Sequence, residues 1–180
     1  MKVLVVIDMQ KDFISGPLGT PEAQVAALRV ASKVREYANK EDSIILYTRD
    51  THYNNYLDTQ EGEKLPVPHC LYGTEGWEIV PEVYVDNGAT EVVDKNTFGF
   101  YDIHGAVYRA ILKRSENFQI DHIEICGVCT DICVVSNAIL LKTNYPEVPI
   151  TVNSACCAGV TPEKHEAALE VMRSCQIDVI

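Results

Sequence analysis

Short apolar, β-branched runs alternate along this chain with segments whose apolar positions recur every three or four residues. The runs at 2–7, 43–48, 90–94, 120–126, 148–152 and 177–180 have the length and uniform hydrophobicity of strands buried on both faces. Segment 21–39 places apolar residues at 25, 28, 30, 31 and 34 on roughly one helical face, and 103–114 and 130–143 show the same period. Segment 162–174 opens with Thr161 in an N-cap position and Pro162 at the first helical position. Strands and helices in this alternation predict an α/β fold: a three-layer α/β/α sandwich with a mostly parallel six-stranded sheet, one domain over 1–180. Residues 50–81 break the pattern with Pro, Gly and Asn and no sustained period. They predict a long loop, and such loops inside compact domains usually carry function.

Composition narrows the classes. A net charge of −11 argues against nucleic-acid binding, which needs Lys and Arg to neutralise phosphates. Mean hydropathy of −0.03 is that of a soluble globule, and no apolar run approaches the ~20 residues that span a bilayer. The first residues enter a strand without a signal-peptide pattern, so a cytoplasmic location is expected. Seven cysteines at irregular spacing do not form a disulfide framework and are expected to be reduced. Neither G-x-G-x-x-G nor G-x-x-x-x-G-K-[ST] occurs, so no nucleotide cofactor is expected.

Three strand ends carry candidate chemistry: Asp8 after 2–7, Lys95 after 90–94, and Cys133 beyond 120–126 in Gly127-Val128-Cys129-Thr130-Asp131-Ile132-Cys133-Val134. In a parallel sheet all three reach the carboxyl edge, where open α/β folds bind ligands. Cys133 is expected in the first turn of a helix, where unpaired N–H groups and the dipole favour a thiolate. Singly, each residue has a structural reading: a turn-capping carboxylate, a surface lysine, a core thiol. A second group is Asp50-Thr51-His52 with His69. Asp-x-His at a strand end puts both side chains on one face, and with a third ligand this suits Zn²⁺ or a related ion. Asp58 and Glu61 are both available as a further oxygen ligand.

These segments resemble the isochorismatase-like cysteine hydrolases, and among them most closely the nicotinamidases. The resemblance rests on Val5-Val6-Ile7-Asp8-Met9-Gln10-Lys11-Asp12-Phe13, Thr48-Arg49-Asp50-Thr51-His52, Pro68-His69-Cys70, Lys95-Asn96-Thr97-Phe98-Gly99-Phe100 and Gly127 to Val134, in the family's order. It implies Asp8 as general base, Lys95 as its charged partner and Cys133 as nucleophile. It also implies a cis peptide between Val128 and Cys129, and an oxyanion hole made by the backbone N–H groups of Cys129 and Cys133. A metal that binds a pyridine nitrogen is implied at Asp50, His52 and His69. Zn is expected, with Mn or Fe as alternatives, and Glu61 is preferred as fourth ligand because it follows His52 by nine residues. The implied reaction turns a small amide, nicotinamide first, into acid and ammonia through an acyl-thioester.

Two departures from the family pattern stand out. Some nicotinamidases place a tryptophan on the pyridine ring just before the third metal ligand, whereas this chain reads Leu65-Pro66-Val67-Pro68. Phe13 remains as an aromatic wall, with Trp77 expected in the core. Cys129 stands where the family often has alanine, and its C-x₃-C spacing with Cys133 differs from a thioredoxin-like motif. His104, His122 and His165 are expected to be structural or exposed, and Cys156 and Cys157 to be inert after the fifth strand. Two rivals stay open: a relative acting on another small amide or carbamoyl compound, and a non-enzymatic metal- or ligand-binding relative. Homo-oligomerisation also stays open.

Overall fold

β1 (Lys2–Ile7) is buried from Val3 onward inside a sheet that helices cover on both faces, which is why it reads as a continuous rather than alternating apolar run. The computed structural model describes residues 1–116 and 118–180. β2 (Ser43–Asp50), β3 (Thr90–Lys95), β4 (His122–Val128), β5 (Ile150–Ala158) and β6 (Asp178–Val179) complete one sheet in the order β3-β2-β1-β4-β5-β6. Every pairing is parallel. After α1 (Lys11–Ile14), α2 (Pro21–Ala38) packs on one face of the sheet. α3 (Gln60–Lys64) lies apart, and α4 (Ile103–Leu112), α5 (Val135–Asn144) and α6 (Pro162–Ser174) pack side by side on the other face. Among the described residues no helix is long and apolar enough to cross a membrane.

The face of α2 that meets the sheet keeps the expected Val30, Ala31 and Val34 but excludes the expected Val25 and Leu28. Val25 and Leu28 are exposed, at 48% and 71%, while Ala23, Ala26, Ala27, Val30, Ala31, Val34 and Tyr37 are buried. The small alanine side chains let the helix lie close to the strands, so packing selects that stripe over the bulkier side chains. Strand ends also run further than expected. β2 reaches Asp50, β3 takes in Lys95, and β5 continues through the polar Asn153 and Ser154 to Ala158, so Cys156 and Cys157 lie inside it, buried.

Residues 50–81 are built rather than structureless. Thr59 caps α3 by accepting the Gly62 N–H at 3.0 Å, and single bridges join His52 to Leu71 and Gln10 to Ile79. Elements this short carry no readable period. The chain leaves β1 towards α2 on one face and β4 towards α5 on the other. Reversal of direction at that point opens a crevice between the carboxyl ends of these neighbouring strands.

Candidate active site

Asp8 follows β1 directly with φ +49°, and its side chain is fully buried. Across the crevice Gly127 has φ +125°, and a Cβ there would run into the backbone of Ile7, so only glycine allows β4 to pass this close. The Thr48 hydroxyl donates to Asp8 Oδ1 at 2.6 Å and accepts the Asp8 N–H at 3.2 Å. Lys95, the last residue of β3, extends over the end of β2. Its Nζ lies 2.6 Å from Asp8 Oδ2, 3.5 Å from Asp50 Oδ1 and 3.5 Å from Cys133 Sγ. Burial opposes charge on Lys95, but Asp8, the Cys133 sulfur and Asp50 outweigh it and raise its pKa. Burial raises Asp8 in turn, against the pull of Lys95.

Cys133 does not open an α-helix. After a cis peptide at Val128–Cys129, residues Thr130–Val134 form a π-turn that leads into α5. The Asn137 amide donates to the Cys133 carbonyl at 2.8 Å and the Ser136 hydroxyl to the Ile132 carbonyl at 2.7 Å, taking up acceptors of this wide turn. The electrostatics of the thiol also differ from those of a helix N-terminus. Burial drives the Cys133 thiol well above its ordinary pKa and the Asp8 charge adds to this, with Lys95 opposing. Desolvation is the largest influence on the Cys133 sulfur, and it acts in the opposite direction to a helix terminus. Cys129 is likewise pushed up to about 12 by burial and the Asp131 charge.

Beside this cluster, one ligand atom each from Asp50, His52, Glu61 and His69 lies within 4.8 Å of all the others. Asp50 Oδ2 is 3.0 Å from His52 Nε2 and 3.5 Å from His69 Nε2, and Glu61 Oε1 is 3.7 and 4.0 Å from the same nitrogens. Four ligands at ~2.0–2.1 Å around a tetrahedral ion stand about 3.3 Å apart, so this set fits a metal with little adjustment. Burial disfavours charge on Asp50, yet contacts from His52 and His69 and the Lys95 ammonium hold it well below the usual carboxylate range. The Val67 carbonyl accepts His69 Nδ1–H at 2.8 Å, which leaves Nε2 for the group. Asp58 is exposed and outside it.

A cavity of about 520 Å³ joins the two clusters, with Phe13, Asp50, Glu61, His69, Cys129 and Cys133 in its wall. The Phe13 ring lies 5.5 Å from His69, and Leu65 occupies the wall before the third ligand. Trp77 is half-buried away from the cavity, its Nε1 donating to the Thr51 hydroxyl at 2.8 Å and its face under the Arg49 guanidinium at 3.7 Å.

The Isochorismatase domain family matches residues 2–180. The chain belongs to the isochorismatase family. A nicotinamidase of Saccharomyces cerevisiae is 30% identical over 176 residues, covering 77% of this chain and 80% of its own. A pyrazinamidase of Pyrococcus horikoshii, solved in complex with zinc, superposes with a TM-score of 0.76 at 26% identity over 99% of this chain and 98% of the other. An N-carbamoylsarcosine amidase of Thermoplasma acidophilum superposes with a TM-score of 0.74 at 26% identity over 99% and 94%. Family and relatives together make the protein a hydrolase of amide carbon–nitrogen bonds.

Several supports of this isochorismatase-family site escape sequence reasoning. Gln10, fully buried, donates to the carbonyls of Asp50 and Trp77 at 2.8 and 2.9 Å and accepts the Asp50 N–H at 2.7 Å, pinning the end of β2. Asp12 accepts the Cys70 N–H at 2.7 Å, steadying the turn after His69. His165 is not remote from the motifs: its Nδ1 lies 2.8 Å from the Thr130 hydroxyl in the π-turn. His104 is exposed, and His122 pairs with the Thr151 hydroxyl at 2.8 Å. Gln10 and Asp12 lie in the segment Asp8-Met9-Gln10-Lys11-Asp12-Phe13 that follows β1. The His165 contact spans the whole of β5 and had no local signal.

Proposed function

We propose that this hydrolase converts a small amide, with nicotinamide as substrate, into the carboxylic acid and ammonia through an acyl-thioester on Cys133. One observation carries the reading: a buried ammonium that touches both a buried carboxylate and a buried thiol, beside four convergent metal-ligand atoms on a shared cavity. Asp8 takes the Cys133 proton as sulfur attacks the carbonyl carbon, and the carbonyl electrons move onto oxygen. The N–H groups of Cys129 and Cys133 receive that oxyanion. Asp8 returns the proton to nitrogen, the carbon–nitrogen bond breaks and ammonia leaves. Water, deprotonated by Asp8, then attacks the thioester. The carbon–sulfur bond breaks, the acid departs and Cys133 regains a proton. Lys95 keeps Asp8 and the sulfur in register throughout, and Phe13 forms a wall for the ring. Asp50, His52, Glu61 and His69 would hold a divalent ion, zinc by their mixed imidazole and carboxylate set with manganese or iron also suited, which when bound supplies a Lewis-acid contact for a pyridine nitrogen.

Leu65 in the cavity wall favours a second reading, in which the same residues act on another small amide or carbamoyl compound. Ammonia release from nicotinamide, benzamide and an N-carbamoyl amino acid, with bound metal measured on the same preparation, separates the two. The expected result is stoichiometric metal and nicotinamide far ahead of benzamide, which lacks a ring nitrogen. Equal turnover of the two aromatic amides, or full activity of metal-free enzyme in chelator, overturns nicotinamide as substrate.

A further inference from the structure

The residues that line the cavity run from the metal-ligand group, by way of Cys133, to the end of β5. Asp50 stands at the end of β2, Asp8 at β1, the nucleophile turn after β4, and Ala158, Gly159 and Val160 at and beyond the end of β5. With strands ~4.8 Å apart, the end of β5 lies one further spacing, about 5 Å, beyond the strand that carries the nucleophile turn. A volume of about 520 Å³ falls within the ~300–1,000 Å³ that encloses drug-sized ligands, whereas nicotinamide is one ring and one carboxamide.

The chemistry of the two ends differs. The charged residues of the lining, Asp50, Glu61 and Lys64, belong to β2 and α3. The far arm is lined by Leu18, Thr20, Ala23, Ala158, Gly159 and Val160, and the Thr20 hydroxyl is already engaged by the Ala23 N–H at 3.0 Å. Its outer wall is fixed: Asp131 accepts the Val160 N–H at 2.9 Å, and a Cβ at Gly159 would press on Asp131 and the His165 backbone. An anionic tail placed there would lose its hydration without a partner, while an apolar one gains by leaving water.

We propose that, besides nicotinamide, the site takes amides that carry an apolar substituent of a few carbons, lodged between Leu18, Ala23 and Val160 with the carbonyl over Cys133, and turns them over more efficiently. The inference rests on the amide-hydrolase reading and names its substrate class. It is tested by kcat/KM for nicotinamide, 5-propylnicotinamide, N-propylnicotinamide and 5-carboxynicotinamide. One propyl amide is expected to exceed nicotinamide by at least about tenfold, as burial of added methylenes in a fitted pocket does. Which one does so assigns the arm to the acyl or the amine portion. The carboxy compound falls below nicotinamide. Val160 is 43% exposed, so Val160→Trp fills the arm from its rim, and it should lower the propyl-to-nicotinamide ratio at least about tenfold. Nicotinamide turnover with no gain from either propyl group overturns this inference alone, as does an unchanged ratio in folded Val160→Trp. No turnover of any amide overturns the hydrolase reading and the inference with it. The wild-type series decides the matter even where the variant fails to fold.

Discussion

Glu124 and Asp8 are both withdrawn from water, and their surroundings differ in how fully they are partnered. Glu124, in β4 beneath α2, accepts from the Tyr37 hydroxyl at 2.9 Å and the Asn153 amide at 3.0 Å, with the Lys33 ammonium at 3.3 Å. Asp8, at the carboxyl edge, has Oδ1 bonded to Thr48, but its Oδ2 touches Lys95 without a hydrogen bond of regular geometry. Folded chains complete the hydrogen bonding of buried charge where that charge only has to be stored. An oxygen left incompletely bonded beside a thiol is available to receive a proton. The first network holds β4 and β5 to α2. The second trades such completeness for reactivity.

Breaking the second network at its sulfur should have the largest effect. Cys133→Ala is expected to lower kcat by at least about 10⁴-fold while the melting temperature stays close to that of the parent; residual activity within tenfold would end the covalent route. Lys95→Met comes next. It leaves Asp8 buried without its cation, so kcat should fall by about 10²-fold or more and urea unfolding should show a loss of ~3 kcal/mol or more, less whatever Asp8 recovers by taking a proton. Unchanged kinetics would remove Lys95 from the site.

The first network answers differently. Tyr37→Phe deletes one donor to Glu124, and should cost about 1–3 kcal/mol in urea unfolding with kcat within twofold of the parent. A large loss of kcat there would mean that the two networks are coupled through the sheet. Cys129→Ala should do least, because only the backbone N–H of residue 129 is assigned a role; turnover within a few-fold of the parent is expected. Inactivation as complete as that of Cys133→Ala would show that the two thiols had been given each other's parts.

The sequence carried the strands because parallel strands covered on both faces must be uniformly apolar, and 2–7 and 43–48 obey that rule. It also carried α6 to the residue, through Thr161 and Pro162. It placed Val30, Ala31 and Val34 of α2 on the packing face but Val25 and Leu28 with them, since alanines give little hydrophobic signal although they set how close a helix can come. It also left 50–81 as loop, because α3 and the bridges there are held by caps and long-range contacts rather than by a period.

Chemistry divides along the same line. Residue types and their order were enough to single out Asp8, Lys95 and Cys133, and Asp50, His52 and His69, because strand ends in a parallel sheet share one edge. Glu61 was separable from Asp58 only by resemblance until the fold brought Glu61 Oε1 to the two histidines. Tertiary structure alone decided that Lys95 crosses the end of β2 to Asp8, that Gln10 pins Asp50, that His165 meets Thr130, and that burial raises the Cys133 thiol. The reason is physical. Local sequence sets propensity and the side of a strand each residue occupies, while burial, charge proximity and hydrogen bonding between distant segments exist only once the sheet has formed.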